Sequence, residues 1–378
     1  MNETIFTNAQ IVLHDEVIHG SLVLTDGKIA DISSGSSSGG DDMNGDMLIP
    51  GLVELHTDHL ETHYAPRPKV RWNPHASVQA HDAQIAASGI TTVFDALRVG
   101  VDEDADLGIA DMTKLSAAIE DCANEDGLRA QHFIHLRCEV SSANCLEALD
   151  AFEQNERVKL VSLMDHAPGQ RQFASLEAYA IYYRGKMGLS EQEFQVFSEK
   201  RIEESAIYAD KHRRAVAQRC NQKGIVLASH DDATIDHVNE ALDQGIAVAE
   251  FPTTIEAAKA SHEGGLSVLM GAPNLMRGSS HSGNVSARTL AKNGHLDILS
   301  SDYIPFSMIS AAFLMGDVVE GITLPQAIRT VSANPAEAVG LDDRGSIAIG
   351  KQADIVRVRR SDNVPLVRGV WREGERVV

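Results

Sequence analysis

The sequence predicts an α/β fold, a (β/α)8 TIM barrel with a small β-sandwich domain formed from both chain ends. Three observations carry that reading. Short apolar runs alternate with helix-length segments through the middle of the 378 residues. The two ends share a β-prone, turn-punctuated pattern that the middle lacks, and run after run in the middle stops on a histidine or a carboxylate. Uninterrupted apolar strands separated by helices describe a parallel sheet covered on its faces. Reactive side chains at strand ends describe a barrel.

At the N-terminal end, Ser21–Thr25 and Lys28–Ile32 flank Asp26-Gly27, the dipeptide of a type I′ hairpin. At the other end Ala353–Arg359 and Val364–Trp371 are β-prone, and Glu373-Gly374 supplies another turn. Residues 1–48 and 343–378 are therefore assigned to the small domain, and 49–342 to the barrel. The polar stretch Ser33–Asp46 reads as a flexible loop, because its glycines lack the spacing of a phosphate-cradling P-loop.

Barrel strands are expected at Leu48–Leu55, Thr91–Leu97, Gln131–Cys138, Val158–Met164, Ile225–Ala228, Ala247–Phe251, Ser267–Met270 and Asp297–Leu299. Helices are expected at Ala76–Ser88, Asp111–Glu125, Thr234–Asp243 and Ile255–His262. Eight such units fit a closed barrel better than an open doubly wound sheet, and no GxGxxG follows the first strand. Residues 171–223 exceed a normal crossover and read as a helical insertion, two helices around Arg184–Gly188. On a βα connection it is either a lid over the mouth or a surface decoration.

Composition narrows the class of function. A hydrophobic share of 43% and a charged share of 23% belong to an ordinary globular chain. No apolar run is long enough to span a bilayer, and the N-terminus lacks the basic-then-apolar order of a signal peptide. Four cysteines without CxxC spacing fit a reducing cytoplasm. The net charge of −21 argues against nucleic acid as a partner. A small anionic substrate stays compatible where arginines and metal ions reverse the field locally. A homo-oligomer is left open.

The first barrel strand ends Glu54-Leu55-His56-Thr57-Asp58, and residues two apart on a strand share a face, so His56 and Asp58 point the same way. Later strands end in Glu139, Asp165-His166, His230-Asp231-Asp232 and Ser301-Asp302. One histidine at a strand end would be an ordinary hydrogen-bonded residue. Several on one rim, with carboxylates, would carry a large desolvation cost without a cation. His56, Asp58, Glu139, His166, His230 and Asp302 are the candidate ligands for one or two divalent ions. A nitrogen and oxygen set without thiolates suits zinc, with manganese or iron as alternatives. Asp302 is also the candidate base for a metal-activated water; the plainer alternative makes it a cap for the next segment.

The entry Ile49–His56, the strand-end histidines, Ser301-Asp302 and the closing Ile349–Val356 resemble the amidohydrolase superfamily. Asp58 stands where that superfamily's first motif has its second histidine. Glu139 resembles the third-strand glutamate that some superfamily deacetylases use in place of a carboxylated lysine. The segments Glu54–Asp58, Pro66–Val70, His135–Glu139, Leu163–Phe173, Ala228–Thr234, Glu250–Thr254 and His281–Asn284 carry a narrower resemblance, covering essentially the whole chain. They are similar to the diphosphatases of the carbon–phosphorus lyase pathway. That resemblance implies hydrolysis of α-D-ribose 1-methylphosphonate 5-triphosphate, a phosphorylated sugar, to the 5-phosphate and pyrophosphate.

A triphosphate needs cationic and hydrogen-bonding partners. Arg67, Lys69, Arg137, Arg171 and Arg277 fall on or just after expected strand ends, and His281 lies in a loop rich in glycine and hydroxyls after the seventh strand. Alone, each arginine would be an ordinary surface or structural residue. Two other functions stay open: hydrolysis of a C–N bond, as by a cyclic amide hydrolase or deacetylase, and a catalytically silent scaffold. The first needs no polyphosphate-binding arginines, and the retained histidines and carboxylates argue against the second.

Overall fold

Two eight-stranded sheets organise the computed structural model, which describes residues 3–35, 37, 39–100, 107–171, 179–180, 190–280, 283–361 and 364–378. The first sheet starts with β1 (Glu3–Val12), β2 (Val17–Thr25), β3 (Lys28–Ser34), β4 (Asp41–Asp42) and β5 (Met47–Pro50). The second holds β6 (Leu52–Thr57), β7 (Ile90–Val99), β8 (Gln131–Glu139), β9 (Val158–Met164), β10 (Val226–His230), β11 (Val248–Glu250), β12 (Ser267–Gly271) and β13 (Ile298–Ser300). Each of these pairs in parallel with the next. The chain then returns to the first sheet as β14 (Ile355–Arg359), β15 (Leu366–Arg372) and β16 (Glu375–Arg376), with β14 antiparallel to β5.

Turn chemistry explains the hairpins of the first sheet. Asp26 and Gly27 both take positive φ, 48° and 78°, as do Glu373 and Gly374 at 50° and 78°, the backbone a type I′ turn demands. The Ala353 N–H donates to the Gly27 carbonyl at 2.9 Å, so the two ends of the chain are stitched together. Phe6, Leu22, Leu24, Ile29, Leu48, Ile355 and Trp371 form their shared core.

Within the stretch Ser33–Asp46, expected as a flexible loop, short pieces are held in the sheet, while residues 36 and 38 lie outside the described residues. β3 runs to Ser34, Asp41 and Asp42 pair with Phe6 and Thr7, and buried Asp46 accepts from Arg357 Nε at 2.7 Å. At these positions the polar side chains serve a sheet edge and an ion pair.

The run Leu48–Leu55, read as one strand, is two. The chain changes sheets at Gly51, whose N–H donates to Asp354 O at 2.8 Å. A Cβ there would sit 2.2 Å from Thr91 Oγ1, so the crossing point admits only glycine. Every residue of β5 and β6 is buried, which leaves no change in hydropathy to mark the break.

The barrel closes between its first and last strands through a parallel bridge of Thr57 to Asp302. The Asp58 N–H donates to Asp302 O and the Asp302 N–H to His56 O, each at 3.1 Å. Val53, Leu55, Phe94, Leu160, Ala228, Val248, Leu269 and Ile298 fill the interior, a packed core and not a pore. Helices Ile235–Asp243 and Ile255–Glu263 start at Thr234 and Thr254, whose side chains accept from the N–H three residues on. Such caps keep the loops from β10 and β11 short and hold the strand ends in place.

Of the insertion, the helix Glu191–Lys223 is opened by a Ser190–Glu193 capping box and closed by Gly224 at φ 66°. The expected turn at Arg184–Gly188 lies outside the described residues, as does His281. No helix among the described residues is long and apolar enough to cross a membrane.

Candidate functional site

Alternation along β6 puts Glu54 and His56 on one face of the barrel wall. Glu54, without solvent exposure, accepts the His56 N–H and the Ser301 N–H, both at 2.6 Å. It ties the first strand to the end of the last, and burial pushes its carboxyl up to about 7. Glu250, the last residue of β11, accepts from two imidazoles: His56 Nδ1 reaches Oε1 and His230 Nδ1 reaches Oε2, each at 3.1 Å. The Ser162 hydroxyl adds a bond to Oε2 at 2.6 Å. Burial would raise the Glu250 carboxyl, but the surrounding imidazoles hold it well below the usual range.

Glu139 plays the same part for His166. Its Oε2 accepts from His166 Nδ1 at 2.6 Å, and its Oε1 from the His166 N–H at 3.0 Å and the Ser141 hydroxyl at 2.6 Å. Burial opposes its charge, yet the His166 imidazole and the hydrogen bonds hold the carboxyl down to about 2. His166 and His230 are thus each fixed by a carboxylate at Nδ1. Their Nε2 atoms lie 3.7 Å and 3.5 Å from Asp231 Oδ2.

That Asp231 oxygen is buried and has no hydrogen-bond partner. Two oriented imidazole nitrogens and an orphaned carboxylate oxygen facing one point are the donor set of a divalent ion. His56, His230 and Glu250 make a second close group on the same rim. Phe251 stands against both His56 and His230, with ring centroids 5.1 Å and 5.2 Å away. Its φ of 53° is a backbone state that costs a bulky residue about 1–3 kcal/mol.

Asp302 takes a φ of 58°, as does Asp231. Burial and the neighbouring Asp58 raise its carboxyl above the ordinary value. Asp58 accepts from Arg137 Nη1 at 3.2 Å. His56, Asp58, Glu139, His166, His230 and Asp302 therefore all reach one mouth, with Glu139 behind His166 and Asp58 on Arg137.

The expected phosphate partners are scattered. Arg277, exposed at the end of helix Ala272–Arg277, has Nη1 3.4 Å from the hydroxyl of Tyr303, the residue after Asp302. Arg67 and Lys69 are exposed in the segment after helix Leu60–Tyr64. Arg171 is buried and paired with Asp232 and with Glu240, the latter at 2.7 Å. Sequence reasoning missed Glu54, Asp231, Glu250 and Phe251 as parts of the site. A carboxylate inside the apolar run Leu52–Leu55, or at the end of Ala247–Phe251, is the signal that would have found two of them.

Comparison with known proteins agrees with this architecture. The amidohydrolase family matches residues 76–378. The alpha-D-ribose 1-methylphosphonate 5-triphosphate diphosphatase of Escherichia coli (strain K12) is 46% identical over 376 residues, covering 99% of this chain and 100% of that protein. Among solved structures, N-isopropylammelide isopropylaminohydrolase from Burkholderia multivorans superposes with a TM-score of 0.66 at 15% identity, covering 100% and 98% of the two chains. N-acetylglucosamine-6-phosphate deacetylase from Pasteurella multocida does so with a TM-score of 0.63 at 15% identity, covering 99% of each. At that identity the likeness to the solved structures is one of fold.

Proposed function

This chain belongs to the amidohydrolase family, and on that footing we propose that it hydrolyses α-D-ribose 1-methylphosphonate 5-triphosphate to the 5-phosphate and pyrophosphate in phosphonate catabolism. Identity of 46% along 99% of the chain to a diphosphatase of that substrate supports the substrate. The donor group of His166, His230 and Asp231 supports the chemistry.

The family generally uses divalent metals, and the nitrogen and oxygen donors here suit zinc, manganese or iron. His166, His230 and Asp231 would hold one ion, and His56, Asp58 and Asp302 a second. Such an ion would supply, when bound, a water acidified toward about 7 for attack at neutral pH. Glu139 and Glu250 fix the histidine rings. Asp302 accepts the proton of the attacking water, and Arg137 and Arg277 offer charge to phosphate oxygens as the P–O–P bond opens. Phe251 keeps bulk water off the two histidines it covers. A cytoplasmic setting belongs to the same reading and is supported by four buried cysteines without a disulfide.

The test is pyrophosphate release from the ribose phosphonate triphosphate by zinc- or manganese-loaded protein. No pyrophosphate from that substrate would overturn the proposal. Asp302→Asn keeps the shape and removes the basicity and a ligand charge, so under saturating metal kcat of the folded variant should fall about 10²- to 10⁴-fold or more. Retention of more than about a tenth of kcat would remove Asp302 from the role of base.

A further inference from the structure

The helix Glu191–Lys223, the described part of the insertion, has a buried face of two characters. Toward its C-terminal end Val216, Ala217 and Cys220 join the apolar core that also holds Leu136, Val161 and Leu227. Along the rest of that face the buried side chains include Ser198, Arg201, Ser205, His212 and Arg213. Residues four apart share a helix face, so 201, 205, 209 and 213 form one row. Such a polar row is costly to bury unless each group meets a partner.

The partners are the loops that carry the metal donors. Ser205 Oγ donates to Asp165 Oδ2 at 2.9 Å. Asp165 Oδ1 accepts the Ala167 N–H at 3.1 Å, so the turn that holds His166 is pinned through both carboxylate oxygens. Arg213 Nε lies 3.5 Å from Glu240 Oε2, the oxygen to which Arg171 Nη2 donates at 2.7 Å. Arg171 in turn pairs with Asp232, the neighbour of Asp231. Arg201 pairs with Glu204 at 3.4 Å on its own helix. Burial opposes the Glu139 charge, but His166 and the Arg201 guanidinium hold that carboxyl down, so the helix also acts on the residue that orients His166. One helix thus reaches the ends of both β9 and β10, which supply His166, His230 and Asp231.

We propose that this helix is a strap across the metal donors, with Arg201, Ser205 and Arg213 as positioning residues, and that metal binding and docking of the strap reinforce one another. The proposal rests on the reading of His166, His230 and Asp231 as the holders of an ion. An ion needs the two loops at one fixed separation, and the polar row meets its partners only when both loops stand there. Whatever docking adds to metal affinity, metal therefore adds to docking. The apolar end is anchored in either case, so the polar row is the part that responds.

Zinc affinity, measured by competition with a chelator, and hydrogen exchange along the helix test the strap. Ser205→Ala and Arg201→Gln remove no ligand, yet each should weaken zinc about 5-fold or more. Arg214→Ala, on the exposed side of the same helix, should leave the affinity unchanged. In the unsubstituted protein, amides between Ser198 and Arg213 should exchange more slowly with zinc than without it, and Ser205→Ala should shrink that difference. Unsubstituted protein that binds no zinc would overturn the metal reading and the strap together. Tight zinc binding that neither variant weakens, with helix exchange indifferent to zinc, would overturn the strap alone.

Discussion

Arg171 lies among Asp232, Glu240 and Arg213, with its side chain almost wholly buried. Removing its charge strands Asp232 in the interior, so Arg171→Ala should cost about 3–5 kcal/mol of stability. The exposed Arg277 beside Tyr303 offers a contrast: Arg277→Ala should leave the melting temperature in place and raise KM for the triphosphate. Thermal melts and steady-state kinetics on both variants check this, and equal melting temperatures would contradict the burial argument. The sequence shows both residues only as arginines after strand ends. Their surroundings come from Asp232 and Glu240, carboxylates 61 and 69 residues further on, and no local pattern encodes that pairing. His56, His166, His230 and Asp302 were legible because a polar residue ending an apolar strand has few places to go. Glu250 was not, since its task is to hold two other residues rather than to meet a ligand.

At the scale of elements, the strands of the barrel could be read from hydropathy, whereas the passage from β5 to β6 could not. Gly51 is the test of that passage. Gly51→Ala forces a methyl into Thr91 and Asp354, and should destabilise by about 1–3 kcal/mol in chemical denaturation. A neutral result would mean that the two sheets can part at this point without penalty. Helix Pro74–Ala87 is docked by charge as well as by apolar contact: Asp82 and Asp95 flank His132 at 3.3 Å and 2.7 Å. Burial opposes the imidazolium, but these carboxylates raise its pKa to about 9, above the ~6.5 of an unfolded chain. The folded form therefore binds this proton more tightly. Its contribution to stability is complete below about 6.5 and is lost as pH climbs through about 9. Urea midpoints should fall across that window, and the fall should shrink in His132→Gln; parallel curves for the two proteins would refute the assignment.

Over the whole molecule, the β-prone ends announced their partnership by composition alone, while the single sheet with β5 between β1 and β14 emerges only from the register. That arrangement places Pro50 opposite Ile355, with about 300 residues between them. On the ribosome β5 is made long before its partner edge β14. At roughly 5–20 residues per second the wait is about 15–60 s. Through that interval the edge of β5 that faces β14 stays unpaired at Leu48 and Ile49. The nascent chain therefore carries a sticky edge throughout that wait, and its yield depends on what shields that edge until β14 emerges.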